Sequence, residues 1–227
     1  TPAAGTFEGW PKTVAEVTVM DPCCGSGHFL VTAFEMLRRM REEEEGLSPE
    51  DAADAVLREN LFGLELDGRC VQIAVFALAL SAWRVGGYRV LPPMNVACCG
   101  VPARGTAEEW RGLARGDTQL ADALERLYHL FKDADTLGSL IDPRRAAESD
   151  RLTGVSYEEV APVLHHALSR YGGDDPARQV FAHAAEDVAT AAKLLAGRYT
   201  LTATNVPYLG FKKQSPVLRD FGNAVLV

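Results

Sequence analysis

A mixed α/β fold with a mainly parallel sheet is predicted by three features of the chain. Short β-rich runs alternate with long amphipathic stretches over the first hundred residues. A glycine-rich turn follows the first of these runs, and an acidic residue closes the second. A parallel sheet of this kind is covered by helices and joined by right-handed crossovers.

Residues 1–13 are rich in Gly, Pro and Thr and predict a loop. Ala15 to Met20 predicts the first strand, which stops at Asp21-Pro22-Cys23-Cys24-Gly25-Ser26-Gly27. A helix starts near His28, with Phe29, Ala33, Met36, Leu37 and Met40 expected on its apolar face. The charge run Glu42 to Glu45 reads as its solvated end. Ser48 as cap and Pro49 at the first helical position open a second helix that runs to about Glu59. Asn60 to Glu65 predicts the second strand, and residues 69–84 a very apolar helix closed by Gly86-Gly87. A short third strand fits Met94 to Cys98.

Residues 101–198 interrupt the rhythm as a mainly helical insertion, with pieces at 117–131, 157–171 and 174–196. The sheet resumes at Tyr199 to Thr204, a last amphipathic piece covers 212–221, and 223–227 reads as the start of another strand. Only four or five strands can be counted, so the sheet lacks a closing half and the chain reads as cut short.

Composition narrows the function. With 47% hydrophobic residues, 24% charged and 20 glycines in 227 residues, the chain is globular rather than disordered or collagen-like. A net charge of -8 excludes a basic nucleic-acid coat. Five cysteines, with no C-x-x-C pair, favour a reducing cytoplasm over a disulfide-stapled secreted fold. The adjacent pairs Cys23-Cys24 and Cys98-Cys99 point their side chains apart, so no metal site is expected. Val71 to Trp83 is too short an apolar run to cross a bilayer and reads as a buried helix. One basic tract stands out: Val188 to Arg219 has no acid but carries Lys193, Arg198, Lys212, Lys213 and Arg219. That tract would set positive charge beside a nucleic-acid backbone.

Between a strand and a helix, glycines let a ligand approach the backbone, and the helix N-terminus adds partial positive charge. The dinucleotide fingerprint fails because Leu30 occupies its last position, and the phosphate-loop Gly-Lys-Ser/Thr is missing. Asp21 at the head of the turn would repel a pyrophosphate and suit an ammonium group. Glu65, at the tip of the adjacent strand, can accept both hydroxyls of a ribose. Together they fit a nucleoside with an amino-acid tail. Asn205-Val206-Pro207-Tyr208 follows the last sheet strand, where open α/β sheets place their chemistry. An Asn carbonyl and a backbone carbonyl can orient a planar amino group while the Tyr ring stacks on its base.

These segments resemble the S-adenosylmethionine-dependent N6-adenine DNA methyltransferases. DPCCGSGHFLV (Asp21 to Val31) is similar to the cofactor motif, LFGLELD (Leu61 to Asp67) to the ribose motif and NVPY to the catalytic motif. GTFEGWP (Gly5 to Pro11), NVACCG (Asn95 to Gly100), DADTLGSLI (Asp133 to Ile141) and TNVPYLG (Thr204 to Gly210) resemble the large enzymes of bacteriophage-exclusion and fused restriction-modification systems.

The resemblance implies a Rossmann-like class I methyltransferase fold, a three-layer sandwich that is incomplete here, with S-adenosyl-L-methionine as cofactor. It implies cofactor contacts from Asp21, Pro22, Gly25, Gly27, Phe29, Glu65 and Leu66. Asn205 and the Val206 carbonyl would hold the N6 amine, with Pro207 stiffening the turn and Tyr208 stacking on a flipped adenine. It further implies double-stranded DNA bound through the full-length protein, absent target-recognition and C-terminal catalytic regions, other phage-defence subunits, and a cytoplasmic, membrane-free setting. Departures are Val206 in place of the family's first proline, and no acid at the tip of the third strand. Transfer to a protein glutamine or to RNA, and a non-catalytic scaffold role, stay open at this point.

Overall fold

The computed structural model describes residues 8–114, 116–144, 187–206, 210 and 213–225. Their elements run β1 (Val19–Asp21), α1 (His28–Glu45), α2 (Pro49–Glu59), β2 (Leu61–Glu65), α3 (Gly68–Gly86), β3 (Asn95–Cys98), α4 (Ala107–Gly112), α5 (Thr118–Phe131), α6 (Ala134–Leu137), a helical stretch over 187–196, β4 (Leu201–Thr202) and α7 (Pro216–Val225). The four strands form one sheet in the order β3-β2-β1-β4. β1 pairs in parallel with both neighbours, Val19 opposite Leu61 and Leu201. This is the mixed α/β, Rossmann-like arrangement expected.

The described residues divide into two compact units. One comprises the described chain up to Leu64, Arg69–Val96 and Arg198–Asn205; the other comprises the described parts of Glu65–Gly68, Ala97–Gly197 and Val206–Val227. The first holds the sheet core, in which Leu30, Phe34, Val56, Leu57, Leu61, Ala74 and Leu78 are buried together. Gly63 interrupts β2 for a packing reason: a Cβ there would lie 2.8 Å from Leu30 Cδ1. The second unit contains α4–α7 and the 187–196 stretch. There Thr106 opens α4 with a reciprocal capping box to Glu109, and Asp117 caps α5 by accepting from the Leu120 amide. The helical piece expected at 157–171 lies outside the described residues.

Several expectations are corrected by the structure. The first strand is shorter and later than 15–20, because Val14–Glu16 is a 3-10 turn. Fully buried Asn60 explains the change: its Nδ2 donates to the carbonyls of Val14 (2.9 Å) and Val17 (2.6 Å), which draws them away from a ladder. β4 is only two residues long because hydroxyls take over where a ladder would begin. The Thr200 amide donates to Thr18 Oγ1 (2.9 Å) and the Thr18 amide to Thr200 Oγ1 (3.1 Å).

α1 does not bury the stripe of Phe29, Met36 and Met40, which are exposed. It buries Leu30, Phe34, Leu37, Arg38 and Arg41, at helical spacing. The run Glu42 to Glu45 is structural rather than merely solvated. Glu42 pairs with Arg38, Glu45 pairs with Arg41 (2.6 Å), and Glu44 accepts the Val14 amide (2.6 Å).

α3 is longer than the apolar run suggested, at 19 residues, and by length and composition alone it could cross a membrane. Only 28% of its most apolar window is buried. Ala74, Leu78 and Ala82 face the core, whereas Ile73, Phe76 and Leu80 point outward. At the C-terminal end, residues 223–225 continue a helix and do not start a strand. Ser215 opens it by accepting the Leu218 amide (3.2 Å), and Pro216 takes the first position.

Arg41 is buried and donates to Glu45, Glu59 (2.6 Å) and Asn60 Oδ1 (3.2 Å). Its guanidinium holds both glutamate carboxyls below their ordinary range, and the pair keeps Arg41 charged. A carboxyl depressed in the folded state stabilises above its unfolded pKa, and that contribution disappears as pH falls through the folded value. Arg41→Met is therefore expected to show a flatter loss of stability below about pH 4.5 than the parent, in urea titrations repeated across pH. Asn60→Ala removes the side-chain donor to the Val14 and Val17 carbonyls and one of the acceptors of Arg41, and is expected to cost about 2–4 kcal/mol in the same assay at neutral pH.

Candidate functional site

The first unit places Asp21, Pro22, Gly25 and Gly27 in one turn at the carboxyl end of β1, with Phe29 at the start of α1 that follows. β1 stops at Asp21, which is buried and accepts the Cys23 amide on Oδ1 (3.1 Å). The turn is tied to β2 by the Cys24 amide, which donates to the Leu64 carbonyl (2.9 Å), and closes on itself from Gly27 N–H to the Cys24 carbonyl (2.8 Å). Gly25 (φ +54°) and Gly27 (φ +85°) take left-handed backbone conformations.

These two glycines do different work. A Cβ at Gly27 would sit 3.0 Å from Ala74 Cα, so this residue lets α1 start against α3. A Cβ at Gly25 would meet nothing within 4 Å. Open space over a glycine backbone is what a ligand needs for close approach. Phe29, one residue into α1, is 48% exposed and so is not core.

The second unit contains Glu65 and Leu66. Glu65 Oε1 accepts the amides of Leu66 (2.8 Å) and Asp67 (3.2 Å), so the carboxylate curls over its own turn in a fixed orientation. Two neighbours of Leu66 were not visible as site residues in the sequence. Its carbonyl accepts from Cys98 Sγ (3.3 Å), and a Cβ on Gly100 would fall 2.1 Å from that same oxygen. Gly138, at φ +50°, leaves only enough room that an added Cβ would lie 2.8 Å from Leu66 Cδ1. The signal for both glycines was present: each lies inside a segment that carries the resemblance, NVACCG and DADTLGSLI. Leu66 is nevertheless 45% exposed, held by its backbone with its side chain partly open.

At the tip of β3, where an acid is absent, stands Cys98. Burial raises its thiol pKa, a hydrogen bond from the Gly100 backbone opposes the shift, and the acids Asp187, Glu65 and Asp67 add to the rise. It is a neutral donor. Among the described residues no group of three or more His, Cys, Asp or Glu is placed to hold a metal. Asn205 and Val206 follow β4 and are exposed; Pro207 and Tyr208 lie outside the described residues.

Within the first unit, the carboxylate at the head of the β1 turn and the space beside Gly25 are of the kind that an ammonium-bearing ligand needs. Because Gly27 combines positive φ with a close backbone neighbour while Gly25 has only the former, Gly27→Ala is expected to cost clearly more stability than Gly25→Ala. The latter should cost about 1–2 kcal/mol for left-handed strain alone. Equilibrium urea unfolding of the two variants compares them directly.

Residues 5–88 match the family described as "MmeI, DNA-methyltransferase domain". Over 213 residues, 92% of this chain, the sequence is 28% identical to the adenine-specific methyltransferase PglX of Lacticaseibacillus casei and covers 17% of it. It is also 28% identical over 235 residues, 90% of this chain, to the adenine-specific methyltransferase BrxX of Escherichia coli, covering 18% of that protein. A third relative, PglX of Streptomyces coelicolor, is 28% identical over 138 residues, 57% of this chain and 11% of its own. The chain thus spans less than a fifth of the length of the curated relatives it matches.

Proposed function

We propose that this chain is part of an adenine-specific DNA methyltransferase like its PglX and BrxX relatives, and that it holds S-adenosylmethionine and supplies the amine-binding loop for methylation of adenine N6 in DNA. The observation that carries the reading is the turn at the end of β1. An acid heads it, and a Cβ on Gly25 would meet nothing within 4 Å. When bound, the cofactor supplies an electrophilic methyl group.

In this reading Asp21 meets the ammonium of the amino-acid tail, and Gly25 and Gly27 admit its carboxylate to the backbone beside the N-terminus of α1. Pro22 stiffens the turn. Glu65 accepts the ribose hydroxyls, Leu66 offers its exposed side chain to the adenine face, and Phe29 lines the pocket. Asn205 Oδ1 and the Val206 carbonyl accept from the N6 amine and orient its lone pair. Pro207 restrains the loop and Tyr208 stacks on the extruded base. No protein nucleophile is needed, so none of the five free cysteines takes part.

Double-stranded DNA is bound through the full-length protein in this scheme. The acid-free tract from Val188 to Arg219 would meet the phosphate backbone. Free thiols are in keeping with a cytoplasmic enzyme that serves restriction-modification or phage defence.

Two measurements test the reading. Glu65→Ala should weaken S-adenosylhomocysteine binding by about 1.5–3 kcal/mol in titration calorimetry, the worth of hydrogen bonds to a charged acceptor. Unchanged affinity in a folded variant removes Glu65 as the ribose ligand. In the full-length enzyme, Asn205→Ala should abolish methyl transfer from labelled cofactor while cofactor affinity stays near the parent value. Retained activity, or 5-methylcytosine among the digested nucleosides, would overturn the amine-holding role.

A further inference from the structure

A solvent-open depression of about 690 Å³ lies at the other ends of the strands, where β1 and β4 begin. Trp10, Lys12 and Glu16 line one side and Arg198, Tyr199 and Thr200 the other. The reciprocal hydrogen bonds between Thr18 and Thr200 hold the two chain segments together here. Tyr199 is set in place by its ring contact with Phe62, at a centroid distance of 5.0 Å. Trp10 is 41% exposed, an unusual place for an indole in a loop.

The charges of the depression are unbalanced. Lys12 and Arg198 are exposed, and among the described residues neither side chain is paired with a carboxylate. The one acid in the lining, Glu16, has Oε2 engaged by the backbone amide of Lys12 (2.8 Å), not by a side-chain cation. What the depression presents to solvent is therefore the half-exposed indole of Trp10 beside two cations, Lys12 and Arg198, on a strand pair held together by Thr18 and Thr200.

We propose that this depression is a second ligand site, for a phosphorylated nucleoside. A base stacks on an aromatic side chain whatever its identity, and phosphate oxygens match Lys and Arg donors. An aliphatic anion would match the cations alone, and an uncharged aromatic the indole alone. The site is separate from the glycine turn, yet it grips the segment that leads through β4 to Asn205.

The chain is titrated with adenosine monophosphate while tryptophan emission is followed, with a short single-stranded oligodeoxynucleotide in a parallel arm. The expected result is a saturable change that Trp10→Phe removes. Lys12→Glu and Arg198→Glu should each raise the half-saturation concentration by about tenfold or more, the scale of a lost charge-assisted hydrogen bond. Glu65→Ala should leave the response intact, which separates it from nucleoside binding at the glycine turn. A response to the oligonucleotide alone, with the same dependence on Trp10, Lys12 and Arg198, assigns the phosphorylated nucleoside to a nucleic-acid strand. A response to mononucleotide assigns it to a free one. No response in either arm, a response indifferent to both charge reversals, or equal competition by an acidic peptide overturns the proposal.

Discussion

The sheet depends on Asn60 more than on any single apolar contact. Its backbone amide closes α2 on the Val56 carbonyl, and its own carbonyl accepts the Val19 amide at the start of β1. Its side-chain nitrogen holds the Val14 and Val17 carbonyls, and its side-chain oxygen accepts from buried Arg41. One fully buried amide therefore connects the entry to β1, the entry to β2 and the far end of α1. A polar residue inside a core is costly unless all its bonds are made. Here the completed set fixes register, and register decides where β1 stops and where the glycine turn begins.

That turn is built by division of labour. Gly27 serves packing, because α1 must start close to α3, whereas Gly25 leaves open space on the side where a ligand would approach. Asp21 is buried at the strand end with one oxygen used to order the turn. In the other unit, Glu65 and Leu66 are fixed by comparable means: amides on the carboxylate, a thiol on the carbonyl, and two glycines that allow close contact. Both clusters hold polar groups rigid in advance, which is what binding by positioning requires.

The exposed apolar side chains have a consistent pattern. On α1 they are Phe29, Met36 and Met40, and on α3 they are Ile73, Phe76 and Leu80, while the smaller or alternate positions on each helix face the core. Within this unit the helices are thus apolar on more than one face. The ion pairs of Arg38 and Arg41 keep a strongly charged end on α1 despite that apolar character.

By itself the sequence determined the alternation of elements, the cap at Ser48, the glycine turn and the acids that flank it. These follow from local rules of periodicity, capping and backbone freedom, which need only neighbours along the chain. The tertiary structure alone decided which face of α1 is buried, since Phe29 and Leu30 are equally apolar and only contact with the sheet distinguishes them. It also decided that Val14–Glu16 is a turn, because the competing hydrogen bonds come from Asn60, more than forty residues away. Gly100 and Gly138 lie in segments that the resemblance picks out, but the reason for a glycine at each is the proximity of Leu66, a contact between positions far apart in sequence.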